Sequence, residues 1–448
     1  MKVMHRSNAI SVQVVADDES VISHAGALLV QGMCDKVGLT SGIGELFPRS
    51  AGKLDRGCVI RDLAVAIADG ADSVVAVEML RAQRAAFGPV ASDTTAWRTL
   101  GEFSEQRRAG FRGMLAAARA RVWNDPRVWI PRLLAIDVDA TLVTCHTDKE
   151  LASGNYKRGF GFHPIVCSLD ATGEPLAVLL RPGNAGANCA SDLLDALHQG
   201  LAQLPARAFD TTLHDIVVRM DSAGHSHEVV DHLQSHGLGF VIGADLTTEV
   251  WQKIGKLDES AWIPAIDQDG FERDYAHVAE LAAPEKWGEG VRLIARRERA
   301  HIGAPMKLLD LDGNRYQILI TNLKSHDLAF ICALYNGRGR AEQVIDEIKR
   351  CGLGKLPGKR YDDNQAWICV SLLAANLARW TQMLILDRPW QTARIDTIRN
   401  YLLHTGARLT RHARRITLHL NKHWPAAQAI ARAFDRLRKM HTPTLQPI

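Results

Sequence analysis

LLAIDVDATLV, residues Leu133 to Val143, decides how the rest of the chain is read. An apolar run passes into Asp137-Val138-Asp139-Ala140-Thr141. Side chains on a strand alternate faces with a period of two, so Asp137, Asp139 and Thr141 share one side at the strand's mouth. Carboxylates so placed serve two chemistries. In one, the first Asp attacks phosphorus and the second moves protons. In the other, the carboxylates only hold magnesium. The flanking sequence has to choose between them.

WIPRLLAIDVDATLV, FHPIVCSLD and PLAVLLRPGN read as three successive strands in antiparallel order, with ATGE a turn between the last two. NCASDLLDALHQGLAQL then reads as a helix and DIVVRMDSAG as a strand stopping on Asp221. SHEVVDHLQSHG follows as a helix, and LGFVIGADL as a strand. That order is the one expected of an RNase H-like fold, an α/β class with a mixed sheet. The expected catalytic domain covers residues 126–246 and 327–388. A mainly β insertion at 247–326 is expected from WIPAI, DYAHVAEL, VRLIARRER and YQILITNL, with turns at DQDG and DLDGN. Residues 1–125 read as helical, with Ser92 or Asp93 as an N-cap, and 389–448 as a basic helical tail.

With 448 residues, 46% hydrophobic and 23% charged, the chain can bury at least one sizeable core and is not disordered throughout. Its eight cysteines are scattered without a C-x-x-C pair, which indicates neither a zinc site nor a disulfide framework. MKVMHRSNAISVQVVADDES lacks the apolar core of a signal peptide, so a cytoplasmic protein is expected. Net charge is only +4, but eleven Lys/Arg against two Asp lie between Arg394 and Lys439, and eight Arg against three acids between Arg81 and Arg121. Two basic runs on a nearly neutral chain favour a polyanionic partner.

The first chemistry, that of haloacid-dehalogenase-type phosphatases, needs a later acidic pair; RMDSAGHS offers one carboxylate only. The second needs a third carboxylate on a helix beyond the insertion, and LYNGRGRAEQVIDEIKRCGLGKLP supplies it. Tyr335, Arg338, Glu342 and Lys349 would share one face if the helix reaches back to Tyr335, an extension that Gly337 and Gly339 oppose. Asp137 competes with Asp139 for the first position, and Asp346 and Glu347 with Glu342.

Tyr-x2-Arg-x3-Glu-x6-Lys, with IDVDATLV, YKRGFGFHPIVC, LRPGNAGAN and VRMDSAG, resembles the insertion-sequence transposases with a DDE triad. The wording is similar to their family thirteen-eighty. The resemblance implies a transposase that cleaves terminal inverted repeats and joins the ends to target DNA, working as a homodimer on double-stranded DNA. It assigns Asp139, Asp221 and Glu342 as catalytic ligands of two Mg2+ ions, and Tyr335, Arg338 and Lys349 as phosphate contacts. A nuclease or a domesticated DNA-binding protein on the same fold is the alternative, with a haloacid-dehalogenase-type phosphatase the third and least favoured reading. Trp251, Trp262 and Trp287 are candidates to stack a flipped base, against a plain packing role. Arg98, Arg107, Arg108 and Arg112 are candidate contacts to the repeats. His146, His163 and the RPGN turn read as structural.

Overall fold

The computed structural model describes residues 15–48, 54–146, 148–186, 188–283, 287–299, 313–413 and 415–442. The strands are β1 (Val21–Ile22), β2 (Leu133–Ala140), β3 (Val143–Thr144), β4 (Ser153–Gly154), β5 (Phe160–Phe162), β6 (Ile165–Leu169), β7 (Glu174–Leu179), β8 (Asp215–Met220) and β9 (Gly239–Ala244). They continue as β10 (Ile263–Ile266), β11 (Glu272–Leu281), β12 (Arg292–Arg299), β13 (Asn314–Thr321), β14 (Ala407–His412) and β15 (Arg415–Leu420). Nine of them form one sheet in the order β10-β11-β12-β13-β9-β8-β2-β6-β7. β2 runs parallel to β8, and β8 to β9, while β2-β6 and β6-β7 are antiparallel. Counting β2, β6, β7, β8 and β9 as one to five gives the spatial order 3-2-1-4-5 of the expected RNase H-like sheet.

The strands of the β-rich insertion extend this sheet: β13 pairs antiparallel with β9, and β12, β11 and β10 follow outward. The DLDGN turn expected there begins outside the described residues. Alternation sorts the sheet into two faces. Val218, Phe240, Ile242, Ile318 and Ile320 point into the main core. Val217, Val241 and Leu319 point into a second core, closed by the helix Leu328–Asn336.

The helices are α1 (Ala27–Lys36), α2 (Leu39–Glu45), α3 (Arg56–Asp69), α4 (Val77–Arg81), α5 (Arg84–Phe87), α6 (Asp93–Gly101), α7 (Glu105–Trp123), α8 (Ala190–Leu201), α9 (His227–Ser235) and α10 (Thr248–Ile254). α11 (Leu328–Asn336), α12 (Gly339–Ile348), α13 (Tyr361–Ile385), α14 (Ile395–Ile398) and α15 (Ala427–Lys439) complete them. Start signals are where the side chains dictate: Ser92 caps α6 by accepting from Thr95 N, and Ser226 caps α9 by accepting from Val229 N. α13 is long and apolar enough to cross a membrane, yet it is nearly all buried, between β7 on one side and α1, α3 and α7 on the other.

A buried polar knot locks that arrangement. Glu174, fully enclosed on β7, accepts from Arg119 Nε (2.9 Å), Trp123 Nε1 (3.0 Å), Thr172 Oγ1 (2.7 Å) and Trp380 Nε1 (2.7 Å). α7, β7 and α13 therefore meet at one satisfied carboxylate. The C-terminal tail departs from the all-helical expectation. β14 and β15 form a hairpin that pairs with β1, because Ala407 and Leu409 alternate with polar residues and cover Ile22 and Ala25.

Candidate active site at the ends of two parallel strands

β2 and β8 are in register with Asp137 opposite Arg219. Two residues further, the same register brings Asp139 beside Asp221 just where the strands end. Both face the α11 side of the sheet, since Ile136 and Val138 point into the main core. Arg338 spans them: its Nη2 lies 2.8 Å from Asp139 Oδ2 and 3.9 Å from Asp221 Oδ2. The other oxygen of Asp221 caps the following turn by accepting from Ala223 N at 3.0 Å. Burial pushes the Asp139 carboxyl up to about 6; Arg338 opposes the shift, and Asp221 and Asp137 add to it.

Asp137 is not an open carboxylate. Arg219 Nε donates to its Oδ1 at 2.8 Å and Nη2 to its Oδ2 at 2.6 Å, both side chains being out of solvent. Arg219 also donates to the Leu334 carbonyl at 2.7 Å, tying the strand to α11. Asp137 is thus held in a buried ion pair beneath Asp139.

Tyr335 and Arg338 reach the site through a tightened helical path. Gly337 and Arg338 keep right-handed helical dihedrals, but Arg338 N, Arg340 N and Ala341 N bond three residues back, to Tyr335, Gly337 and Arg338. The two glycines thus narrow the helix rather than stop it. A Cβ at Gly243 would sit 2.6 Å from the Tyr335 hydroxyl, so only glycine on β9 leaves the phenol its place beside the Asp221 turn. Burial pushes that phenol above its ordinary value, against the pull of Arg338.

Glu342 stands one turn beyond Arg338, exposed, and among the described residues it has no hydrogen-bond or ion-pair partner. Its two rivals are occupied. Asp346 pairs with Arg350 and Arg394, and Glu347 accepts from Ile395 N at 3.2 Å. Lys349 caps the same helix, half-buried, its ammonium held below its usual range by burial and, in smaller part, by Lys157. Arg338 Nε is buried and has no hydrogen-bond partner among the described residues.

Other candidates are spent on structure. Trp262 and Trp287 are interior; Trp262 lies under Arg297, and Trp287 stacks against His225 and His227. Trp251 packs edge-on to Tyr316. Arg108 is buried and bound to Glu105 and the Phe103 carbonyl, Arg112 is held by Glu105, and Arg107 by the Glu102 carbonyl. Of the four arginines named from the sequence, Arg98 alone is exposed without one of these bonds; the Glu105 carboxylate takes Arg108 and Arg112, and a backbone carbonyl takes Arg107. His163 is buried against the Ala185 carbonyl, and Gly183 lets the RPGN turn touch the Ser153 and Gly161 backbone. Arg340 was not singled out from the sequence, yet it makes a two-pronged 2.6 Å pair with Asp170 that fixes α12 to the end of β6.

The transposase DDE domain group 1 family model matches residues 4–442. The chain belongs to that family. It is a transposase, an enzyme that cuts and transfers DNA strands. No curated protein is significantly similar to it. A cryo-EM structure of the piggyBac transposase synaptic complex with hairpin DNA is similar to this transposase over 95% of the chain and 87% of its own, at 9% identity and a TM-score of 0.41.

Proposed function

We propose that this transposase cleaves the terminal inverted repeats of an insertion sequence and joins the freed ends to target DNA. Asp139, Asp221 and Glu342 are its catalytic carboxylates. The observation that carries the reading is the adjacent pair Asp139 and Asp221, bridged by Arg338 one helical turn from a glutamate without a partner among the described residues.

The donor chemistry suits divalent metal: the three carboxylates are hard oxygen ligands for Mg2+, or Mn2+ in its place, with Asp139 and Asp221 side by side at the strand ends and Glu342 apart from them on α12. Two such ions, when bound, supply Lewis-acid activation of a phosphodiester. Asp139 and Asp221 would hold them from the strand ends and Glu342 from α12. The protein's own part is to bring the backbone to those oxygens. Tyr335, Arg338 and Lys349 are the residues that would hold phosphate oxygens. Water attacks a phosphodiester first, releasing a 3′-hydroxyl at the element end; that hydroxyl then attacks a target phosphodiester and displaces the target strand's own 3′-oxygen, which leaves as a hydroxyl.

The spacing Tyr335, Arg338, Glu342, Lys349 supports placement in the Tyr-Arg-Glu-Lys group, with family thirteen-eighty the nearest wording. Two ends per element call for two copies of the chain on double-stranded DNA, at the chromosome in a bacterial cytoplasm.

The deciding experiment is a Mg2+-dependent nicking assay on a duplex carrying an element end. The parent chain nicks it and leaves a small phosphomonoester intact. Asp139→Asn, Asp221→Asn and Glu342→Gln each lose nicking while still shifting the duplex in a gel. Full nicking by any one variant removes that residue from the set.

A further inference from the structure

A second cluster of metal-binding atoms lies where the segments before α1 and before β14 meet the end of α3. Asp69 closes α3 with its side chain entirely out of solvent. His24, between β1 and α1, places Nδ1 2.5 Å from Asp69 Oδ2. His404, just before β14, places Nε2 3.4 Å from Asp69 Oδ1. The two imidazoles are 4.5 Å apart, centre to centre.

We propose that His24, Asp69 and His404 form a binding site for a divalent transition-metal ion of the zinc type. The coordinating atoms all lie within 4.8 Å of one another. Ligands about 2.0–2.1 Å from a tetrahedral ion are about 3.3 Å apart, so small side-chain rotations complete the geometry. Asp69 Oδ1 is buried, and its neighbour among the described residues is His404 Nε2 at 3.4 Å, which donates to the Asp69 backbone carbonyl at 2.8 Å.

Two nitrogens and one oxygen select zinc, cobalt or nickel over magnesium, which sorts this site chemically from the all-carboxylate one. The carbonyl end of α3 adds negative potential. Arg399 is the opposing charge; it is engaged by the Ile67 and Ala68 carbonyls and lies 3.4 Å from Asp396. His24 and His404 are 19% and 35% exposed, so an ion and a water as fourth ligand reach the site from solvent. The bound ion joins the segment before α1 to the segment before β14.

The test uses the full chain carrying Asp139→Asn and Asp221→Asn, so that the strand-end carboxylates do not take up the probe. After stripping with chelator and dialysis against Zn2+, this parent retains one equivalent, and Co2+ in its place gives the visible absorption of a low-coordinate nitrogen-oxygen site. Adding His24→Gln or His404→Gln cuts retained zinc at least tenfold with unchanged far-UV circular dichroism. Zn2+ raises the parent's melting midpoint by about 3 °C or more and leaves the histidine variants unmoved. Asp69 is left intact because it is buried. No zinc retained by the parent overturns the proposal, as does full retention in both histidine variants; the cluster is then a hydrogen-bonded helix cap.

Discussion

Both oxygens of Asp137 are held by Arg219, at 2.8 and 2.6 Å, two residues beneath Asp139 on the same strand face. The pair forms the floor on which the open carboxylates stand. Removing one partner of a buried ion pair leaves the other charge uncompensated, which costs about 3–5 kcal/mol. Asp137→Ala should therefore lower stability by that order in urea unfolding. The protein that does fold should keep its nicking rate per molecule. Unchanged stability with lost nicking would return Asp137 to the ligand set.

Asp139 makes the opposite prediction. Its folded pKa of about 6 lies above the unfolded value near 3.9, so its ionisation opposes folding. The sign follows: this group's stability contribution is full below about pH 4 and is lost as pH rises through 6. At pH 7, without metal, Asp139→Asn should be more stable than the parent, on the order of 1–2 kcal/mol. Thermal melts at pH 4 and pH 7 read the difference, which should shrink at the lower pH. A less stable variant at pH 7 would count against the assigned environment.

Arg338 holds the Asp139 carboxyl down against burial and against Asp221. Arg338→Ala should raise the carboxyl's titration midpoint further above 6 in metal-free protein, followed by carbon NMR. The same variant should weaken binding to a duplex end and flatten the salt dependence by about one unit of log-log slope. An unmoved midpoint would mean that Arg338 does not govern Asp139.

Glu174 governs the helical layer rather than the chemistry. Glu174→Ala strands Arg119 and two indole N–H groups in the interior. The loss should be about 3–5 kcal/mol, seen as a lowered urea midpoint. Glu174→Gln, which keeps the shape but gives up the charge, should fall between it and the parent.

Much of the central sheet was legible because β2, β6, β7, β8 and β9 each carry an apolar strand pattern, and because DIVVRMD stops on its carboxylate. The Arg338, Glu342 and Lys349 spacing was legible for the same local reason. What stayed hidden depends on distant partners. Asp137 and Asp139 look equivalent until Arg219, 82 residues away, claims one of them. Arg108 reads as a free cation until Glu105 and burial claim it. His24, Asp69 and His404 share no spacing at all, since 335 residues separate the last two. The hairpin at β14 and β15 escaped because its short strands sit in a basic run that reads equally well as a helix face.

That hairpin sets a timetable for synthesis. Ile22 pairs with Ala407, 407 − 22 = 385 residues later. At 5–20 residues per second, the ribosome needs roughly 20–80 s to travel between them. Throughout that interval the nascent chain carries an unfinished edge beside α1 and α3. A polypeptide whose translation has passed Asp221 but not Ala407 holds the strand-end aspartates and lacks the seam between β1 and β14.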